Sequence, residues 1–271
     1  MSEECGKSSC AGCGESGCSA RRIEKEALRE GSSVKRVIGV ISGKGGVGKS
    51  TVTAMIAAAL VSKGEKVGIL DADITGPSIP RLFGIKDKAE SDGECVYPVR
   101  SKKGIEIMSI NLLLEEETAP VIWRGPVISG TVKQFWTEVA WGELDTLLVD
   151  MPPGTGDVPL TVFQSIPVDG LIVVTTPQEL VGMIVSKAVN MAEMMNVPIL
   201  GMVENMAYFK CPDCGKVHEI FGSSSIGAVA ESFGIGNVCR LGMDPERARL
   251  CDLGKADEFD TAEMESFINS L

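Results

Sequence analysis

Residues 43–51 read Gly-Lys-Gly-Gly-Val-Gly-Lys-Ser-Thr. This satisfies G-x-x-x-x-G-K-[ST], a loop whose glycines let consecutive backbone N–H groups turn toward phosphate oxygens. Gly43, Gly45, Gly46, Val47 and Gly48 supply the cradle. Lys49 is placed for the β/γ-phosphates and Ser50 for Mg²⁺, with Thr51 next on the following helix. The earlier lysine, Lys44, is not needed to fold this loop around its own nucleotide, so it has another job. The run also contains Gly43-x-Gly45-x-x-Gly48, the dinucleotide fingerprint. Lys49-Ser50 directly after it, and acids at the end of the next strand, favour the triphosphate reading.

Two further segments carry carboxylates at strand ends. The apolar run Val67–Leu70 leads into Asp71-Ala72-Asp73. Beside a phosphate loop, one such acid can position an attacking water and another can help hold Mg²⁺. The run Thr146–Val149 closes on Asp150, followed by Met-Pro-Pro-Gly-Thr-Gly-Asp. An apolar strand ending in Asp, about a hundred residues after the phosphate loop, places Asp150 in the Mg²⁺ shell if the two strands lie side by side. The Gly154 N–H can then reach the γ-phosphate, and Asp157 is expected to cap the next helix. Asn205, after the run Ile199–Glu204, carries an amide that both donates and accepts and can read an adenine edge.

The chain has nine cysteines and one histidine, His218. Cys211-Pro-Asp-Cys214-Gly has the spacing to point two thiolates at one metal. Two thiolates complete neither a four-iron cluster nor tetrahedral zinc. A second copy of the chain can supply the other two, His218 can join as a third ligand, or the pair can be a thiol–disulfide redox site. The N-terminal Cys5, Cys10, Cys13 and Cys18 are four thiols within fourteen residues. That is enough for one cubane cluster, with zinc as the alternative. The isolated Cys95, Cys239 and Cys251 are expected as small buried apolar residues. Met183, Met191, Met194, Met195, Met202 and Met206 are expected to fill core and interface gaps.

The elements that must position these groups follow from the pattern between them. From Val34 onward, continuous apolar runs alternate with helical stretches: Val34–Ile41, Val67–Leu70, Ile105–Ile110, Thr146–Asp150, Gly170–Thr175, Ile199–Glu204 and Val238–Leu241. Such runs are strands covered on both faces, so the expectation is a three-layer, doubly wound α/β fold around a mostly parallel sheet. Its site belongs at the carboxyl ends of the strands. An amphipathic helix is expected over Thr51–Ser62, and an irregular insertion with short strands over 85–104. Residues 1–33 read as a Cys-rich arm and a charged helical linker (21–33), and 34–271 as the nucleotide-binding domain.

At 271 residues and a net charge of −11, the chain has room for a full core and lacks the basic excess that grips nucleic acid without sequence preference. There is no apolar stretch long enough to span a membrane, and the polar start is unlike a signal peptide. Cysteine-rich without an export signal, the protein is expected in the reducing cytoplasm, where clustered thiols bind metals more often than they form disulfides.

These motifs together resemble the Mrp/ApbC family of P-loop ATPases, in the wider group that includes MinD, ParA and the nitrogenase iron protein. The matching residues run from the phosphate loop through Asp71–Asp73, Asp150–Asp157, Thr175-Thr-Pro-Gln178, Glu204-Asn-Met206, Cys211–Cys214 and Asp244-Pro245. The resemblance implies a MinD-like fold and a homodimer with nucleotide near its interface. It implies that Lys44 reaches the partner's phosphates, that Asp73 orients the attacking water and that Asp71 and Asp150 lie around Mg²⁺. It also implies that Asn205 contacts adenine, and that Cys211 and Cys214 of two subunits bridge a labile [4Fe–4S] cluster. The implied function is an ATP-hydrolysing carrier that takes clusters from scaffold donors to apo-proteins. Some relatives have a longer gap after the first N-terminal cysteine than the four residues between Cys5 and Cys10.

Two other activities fit parts of the pattern. A MinD- or ParA-like positioning ATPase would want a basic amphipathic tail, whereas residues 260–271 hold Glu263 and Glu265 and no Lys or Arg. An ATP-driven reductase resembling the nitrogenase iron protein takes its cluster ligands from separate loops rather than one C-x-x-C.

Overall fold

The computed structural model describes residues 25–74, 76–114, 125–154, 156–177 and 181–271. In chain order the elements are β1 (Ser33–Ser42), α1 (Lys49–Ser62), β2 (Val67–Asp71), α2 (Ile79–Leu82), β3 (Val99–Arg100), β4 (Glu106–Met108), α3 (Gly125–Thr137) and β5 (Glu143–Asp150). There follow α4 (Asp157–Ser165), β6 (Gly170–Thr175), α5 (Val181–Met194), β7 (Ile199–Glu204), β8 (Phe209–Lys210), β9 (Val217–His218), α6 (Ile226–Ser232), β10 (Val238–Arg240), α7 (Pro245–Asp252) and α8 (Glu265–Asn269).

Eight strands form one sheet in the order β10-β7-β6-β1-β5-β2-β4-β3. All its pairings are parallel except β3 with β4. The second sheet is the β8–β9 hairpin. Strand β1 shows why continuous apolar runs were needed. Successive side chains point to opposite faces. Val37 and Ile41 enter a core completed by residues of α3–α6 such as Phe135, Phe163, Val185 and Ile226. Ile38 and Val40 enter a second core with α1, α2, α7 and α8. The sheet is thus sandwiched between two helical layers, the expected three-layer architecture.

Three expectations need correction. Helix α1 is not amphipathic: every residue from Val52 to Leu60 is buried. The sheet covers one side, while α8 and the 3₁₀ turn Ala256–Glu258 cover the other. The linker is not helical over residues 25–32. It runs without regular structure along the α3–α4 layer, where Glu26 N donates to Ser165 O (2.8 Å), Trp136 Nε1 donates to Glu26 O (2.9 Å) and Lys133 pairs with the Glu26 carboxylate (2.6 Å). Residues 21–24 lie outside the described residues. Finally, β4 stops at Met108, and the chain turns through a 3₁₀ segment at Ile110–Leu112, which frees Ser109 to face Asp71.

Candidate nucleotide site and cysteine hairpin

Strand β1 lies between β5 and β6, so the loop that follows it emerges at the centre of the sheet's carboxyl edge. Gly46 and Gly48 take positive φ (81° and 79°), conformations that a Cβ would strain. Gly48 is also the N-cap of α1, and its first-turn N–H groups receive no side-chain cap. Those N–H groups and the helix dipole suit an anion. The loop encloses a cavity of about 250 Å³ bordered by residues 44–51, Ser42, Asp73, Ser78, Leu82 and Pro153. Lys44, Gly45, Gly46, Val47, Gly48, Lys49, Ser50, Thr51 and Asp73 are therefore brought together as expected. Gly43 stands at the loop entrance, half-buried.

The expected adjacency of the phosphate-loop strand and the Asp150 strand is present, with Val40 opposite Asp150. Asp150 is fully buried. Its Oδ2 lies 2.7 Å from Lys49 Nζ and accepts from Ser50 Oγ at 2.6 Å, while Oδ1 accepts from Thr53 Oγ1 at 2.7 Å. Thr53 was not singled out from the sequence. Its signal was its position four residues after Lys49, on the same face of α1. Ser50 and Asp150 offer adjacent hard oxygens, the donor chemistry that Mg²⁺ takes, so these residues fit that ion.

Asp71 sits beside Asp150 in the β2–β5 register and is fully buried. It accepts from Asp73 N, Ile79 N and Ser109 Oγ (3.2, 3.3 and 3.2 Å). Burial first, and then the charge of Asp150, push its pKa up to about 8. Folding thus raises this pKa from an unfolded value of about 4. The resulting stability is fully present below pH 4 and is lost as pH rises through the folded value. Between pH 5 and 8 the thermal midpoint of Asp71→Asn should fall less steeply than that of the unaltered protein. Parallel slopes in a calorimetric pH series would refute titration of Asp71 in this window.

Two groups expected to face nucleotide are held by protein. Gly154 N donates to Ser42 O (2.8 Å). Asn205 Nδ2 donates to Val47 O (2.9 Å), which ties β7 to the phosphate loop. A Cβ on Gly48 would collide with that amide nitrogen, a second reason for glycine there. Asn205 also borders a cavity of about 410 Å³ that continues past Gly48 and Thr51 to Met206, Gly242–Asp244 and the α7 residues Arg247, Ala248, Cys251 and Asp252. This cavity adjoins the phosphate-loop cavity, with Gly48 and Thr51 bordering both. Cys251, expected as a core residue, is half-buried and lines it. Met206, expected as a gap filler, has φ 57°, and Met194 is exposed, whereas Met191 and Met202 are buried. Helix α4 begins at Asp157 with Gly156 at the cap position, so Asp157 is not the cap.

Cys211 and Cys214 cap the β8–β9 hairpin. Cys211 N donates to Lys216 O and Gly215 N to Cys211 O (2.9 Å each), a tight knuckle that places both thiols at the tip. Cys211 is half-buried and Cys214 exposed. Backbone N–H groups of Cys214 and Asp213, and then the Cys214 thiol, hold the Cys211 thiol below its ordinary range, which favours the ligating thiolate. His218 is exposed. Among the described residues no three His, Cys, Asp or Glu gather as a metal site, His218 and this pair included. The exposed Val217, Ile220 and Phe221 stand close by in the chain. Cys5, Cys10, Cys13 and Cys18 lie outside the described residues.

Phosphate loop, paired acids and adjoining cavity sit at the one edge where strand order turns back on itself. That arrangement makes the protein a P-loop NTPase. The model of the ParA family described as NUBPL iron-transfer P-loop NTPase matches residues 33–270, and the chain belongs to that family. It is 49% identical over 251 residues to the iron–sulfur cluster carrier protein of Clostridium perfringens, covering 90% of this chain and 88% of that one. A carrier protein of the same name from Methanocaldococcus jannaschii is 49% identical, covering 82% and 78%. Among solved structures, a nucleotide-binding protein of Archaeoglobus fulgidus in complex with ADP is 45% identical at a TM-score of 0.79, over 86% of this chain and 92% of that one. MinD in its complex with MinC from Aquifex aeolicus, 21% identical at a TM-score of 0.62 over 87% and 93%, shares the fold. No described helix is long and apolar enough to cross a membrane.

Proposed function

We propose that this protein is an ATP-hydrolysing iron–sulfur cluster carrier that works as a homodimer. The observation that carries this reading is the half-finished ligand set. Cys211 and Cys214 are presented together on a hairpin tip, and one chain's described residues add no third donor. A two-fold axis through that tip supplies Cys₄, the set a [4Fe–4S] cluster takes. Sharing the ligands between subunits makes the cluster labile, because changing the dimer geometry changes the hold on it. The cargo would be received from scaffold donors and released to apo-proteins. Family membership and the carrier names of the relatives support the same reading.

In the nucleotide site, water attacks the γ-phosphorus while the bond to the β–γ bridging oxygen breaks. Lys49 neutralises charge on the β/γ-oxygens. Asp73 orients the water, Ser50 and Asp150 would hold Mg²⁺, which would neutralise charge on the phosphate oxygens, and Lys44 of each subunit serves the partner's site. The base occupies the cavity beside Asn205, whose amide exchanges Val47 O for the adenine edge. Gly154 exchanges Ser42 O for the γ-phosphate. The N-terminal cysteines form a separate site for a second cluster, with zinc as the rival there and at the hairpin.

Anaerobic reconstitution tests the proposal. Cys211→Ser/Cys214→Ser should lose about four iron and four sulfide per dimer relative to the unaltered protein, with the cysteine arm intact. Full retention of iron and sulfide in that variant, or zinc without sulfide at the pair, would refute the bridging cluster.

A further inference from the structure

The base cavity shares a wall with a second cavity of about 410 Å³ that opens beside the cysteine hairpin. The common wall is Gly242, Met243, Asp244 and Arg247. On the hairpin side the second cavity is lined by Tyr208–Lys210 and Pro212, and on the far side by Asp260 and Glu263. Arg247 spans the wall. It is 9% exposed; its Nη1 donates to Gly242 O (3.1 Å) and its Nη2 to Glu263 Oε2 (2.9 Å). The other Glu263 oxygen accepts from Tyr208 OH (2.8 Å). Tyr208 stands three residues before Cys211.

The backbone repeats this link. Ala207 N donates to Leu241 O (2.8 Å) and Met243 N to Tyr208 O (2.6 Å), so the first leg of the hairpin is zipped to the wall. The fit is close, since a Cβ on Gly242 would lie 2.7 Å from the Tyr208 ring. The other leg is anchored elsewhere. Buried Glu204 accepts from Ser224 Oγ (2.8 Å) and Arg240 Nε (2.9 Å), and Arg240 also reaches Glu219 (3.0 Å). One leg is therefore held by Arg240 at the end of β10, and the other by Leu241 and Met243 just beyond it, where the chain becomes the wall of the base cavity. Between Asn205 and the zipped leg lies Met206 in its left-handed conformation, where a non-glycine residue stores strain.

We infer that Arg247, Glu263 and Tyr208 are positioning residues through which nucleotide in the base cavity sets the presentation of Cys211 and Cys214. A base entering the cavity contacts the Arg247 wall. Displacement of that wall moves the Tyr208 leg relative to the leg held by Arg240 through Glu219, with Met206 as the hinge. The inference rests on the carrier reading for its purpose and adds the route by which nucleotide reaches the thiols.

The test uses the full-length, reduced, metal-free protein. Iodoacetamide labelling of Cys211 and Cys214 is followed by peptide mass spectrometry, with and without Mg·ATP, and buried Cys239 serves as the internal control. In the unaltered protein, nucleotide should change the labelling rate of the pair by about fivefold or more, the lower edge of ordinary coupling between sites. Tyr208→Phe removes one hydroxyl, and Glu263→Ala removes the acceptor. Both should bind nucleotide normally and lose the labelling response. Glu263→Gln, whose amide can accept from Arg247 and donate to the phenol oxygen, should restore most of it. Hairpin thiols indifferent to nucleotide in the unaltered protein, or a full response in Tyr208→Phe and Glu263→Ala, would overturn the inference. Iron and sulfide analysis judges the carrier reading separately. A cluster-loaded dimer whose thiols ignore nucleotide overturns only this link, and a responsive hairpin that never holds a cluster leaves the link standing.

Discussion

Lys49→Ala should hydrolyse ATP at least about 10²-fold more slowly, the loss expected when one preorganised charge is removed from the reacting phosphate. The same substitution should also destabilise the protein. Lys49 and Asp150 form a buried ion pair, 6% and 0% exposed, at 2.7 Å. Removing one partner of such a pair strands the other and costs about 3–5 kcal/mol. In a chain of this size that is a fall in thermal midpoint on the order of 10 °C. The two effects separate in Lys49→Ala/Asp150→Asn. Neutralising Asp150 removes the stranded charge, and Ser50 and Thr53 can still bond the amide, so stability should return while hydrolysis stays lost. Calorimetry and phosphate release on both variants check this. Hydrolysis restored along with stability would make Lys49 a structural residue only. Lys49→Ala should still accept a cluster at the hairpin, because the thiols lie outside the phosphate cavity.

Much of this site was legible because phosphate chemistry constrains sequence locally. The loop is contiguous, so its glycines, Lys49 and Ser50 announce themselves without reference to the rest of the chain. Asp150 was legible for a different reason. An apolar strand that ends in Asp has few uses next to a phosphate loop, and the parallel register delivers it to Ser50. The sheet was legible too, since strands buried on both faces leave unbroken apolar runs. Helix α1 was misread because its outer face is covered by the last residues of the chain, a long-range contact that periodicity within the helix does not encode. Residues 25–32 were misread because their charges suit a helix, whereas Glu26 is bonded to Trp136 and Ser165 and the segment has no regular structure of its own.

Other features had no local signal at all. Nothing around Ser109 marks it as a partner of Asp71, because the contact depends on where β4 stops. Glu263 and Tyr208 are fifty-five residues apart and meet only through the fold. Asn205 was expected at an adenine edge, and the structure instead shows its amide bonded to Val47 O, a contact between β7 and the phosphate loop that has no signal in sequence. The C-x-x-C pair lay between these cases. Its spacing made it a ligand candidate, and the hairpin placed both thiols at one tip. The count of two, however, sets a question that only a second subunit or another donor answers.

That second subunit can be tested through Lys44, the lysine the phosphate loop does not need for itself. Lys44 borders the phosphate cavity together with Asp73, and on the proposed mechanism each site uses its own Asp73 and its neighbour's Lys44. A cation delivered in trans to the transferred phosphoryl is worth about 10³-fold or more in rate. Lys44→Ala and Asp73→Asn homodimers should therefore both be nearly inactive. Mixed in equal amounts and allowed to exchange subunits, they should regain activity. A mixed dimer holds one site with its own Asp73 and the partner's Lys44, and one site with neither. Half of the dimers are mixed and each has one working site, so the mixture should recover about a quarter of the unaltered rate. If Lys44 acted within its own subunit, every site in the mixture would lack one of the two groups, and recovery would be zero. Phosphate release from the mixture, set against each variant alone, therefore decides between a lysine that crosses the dimer and one that stays at home.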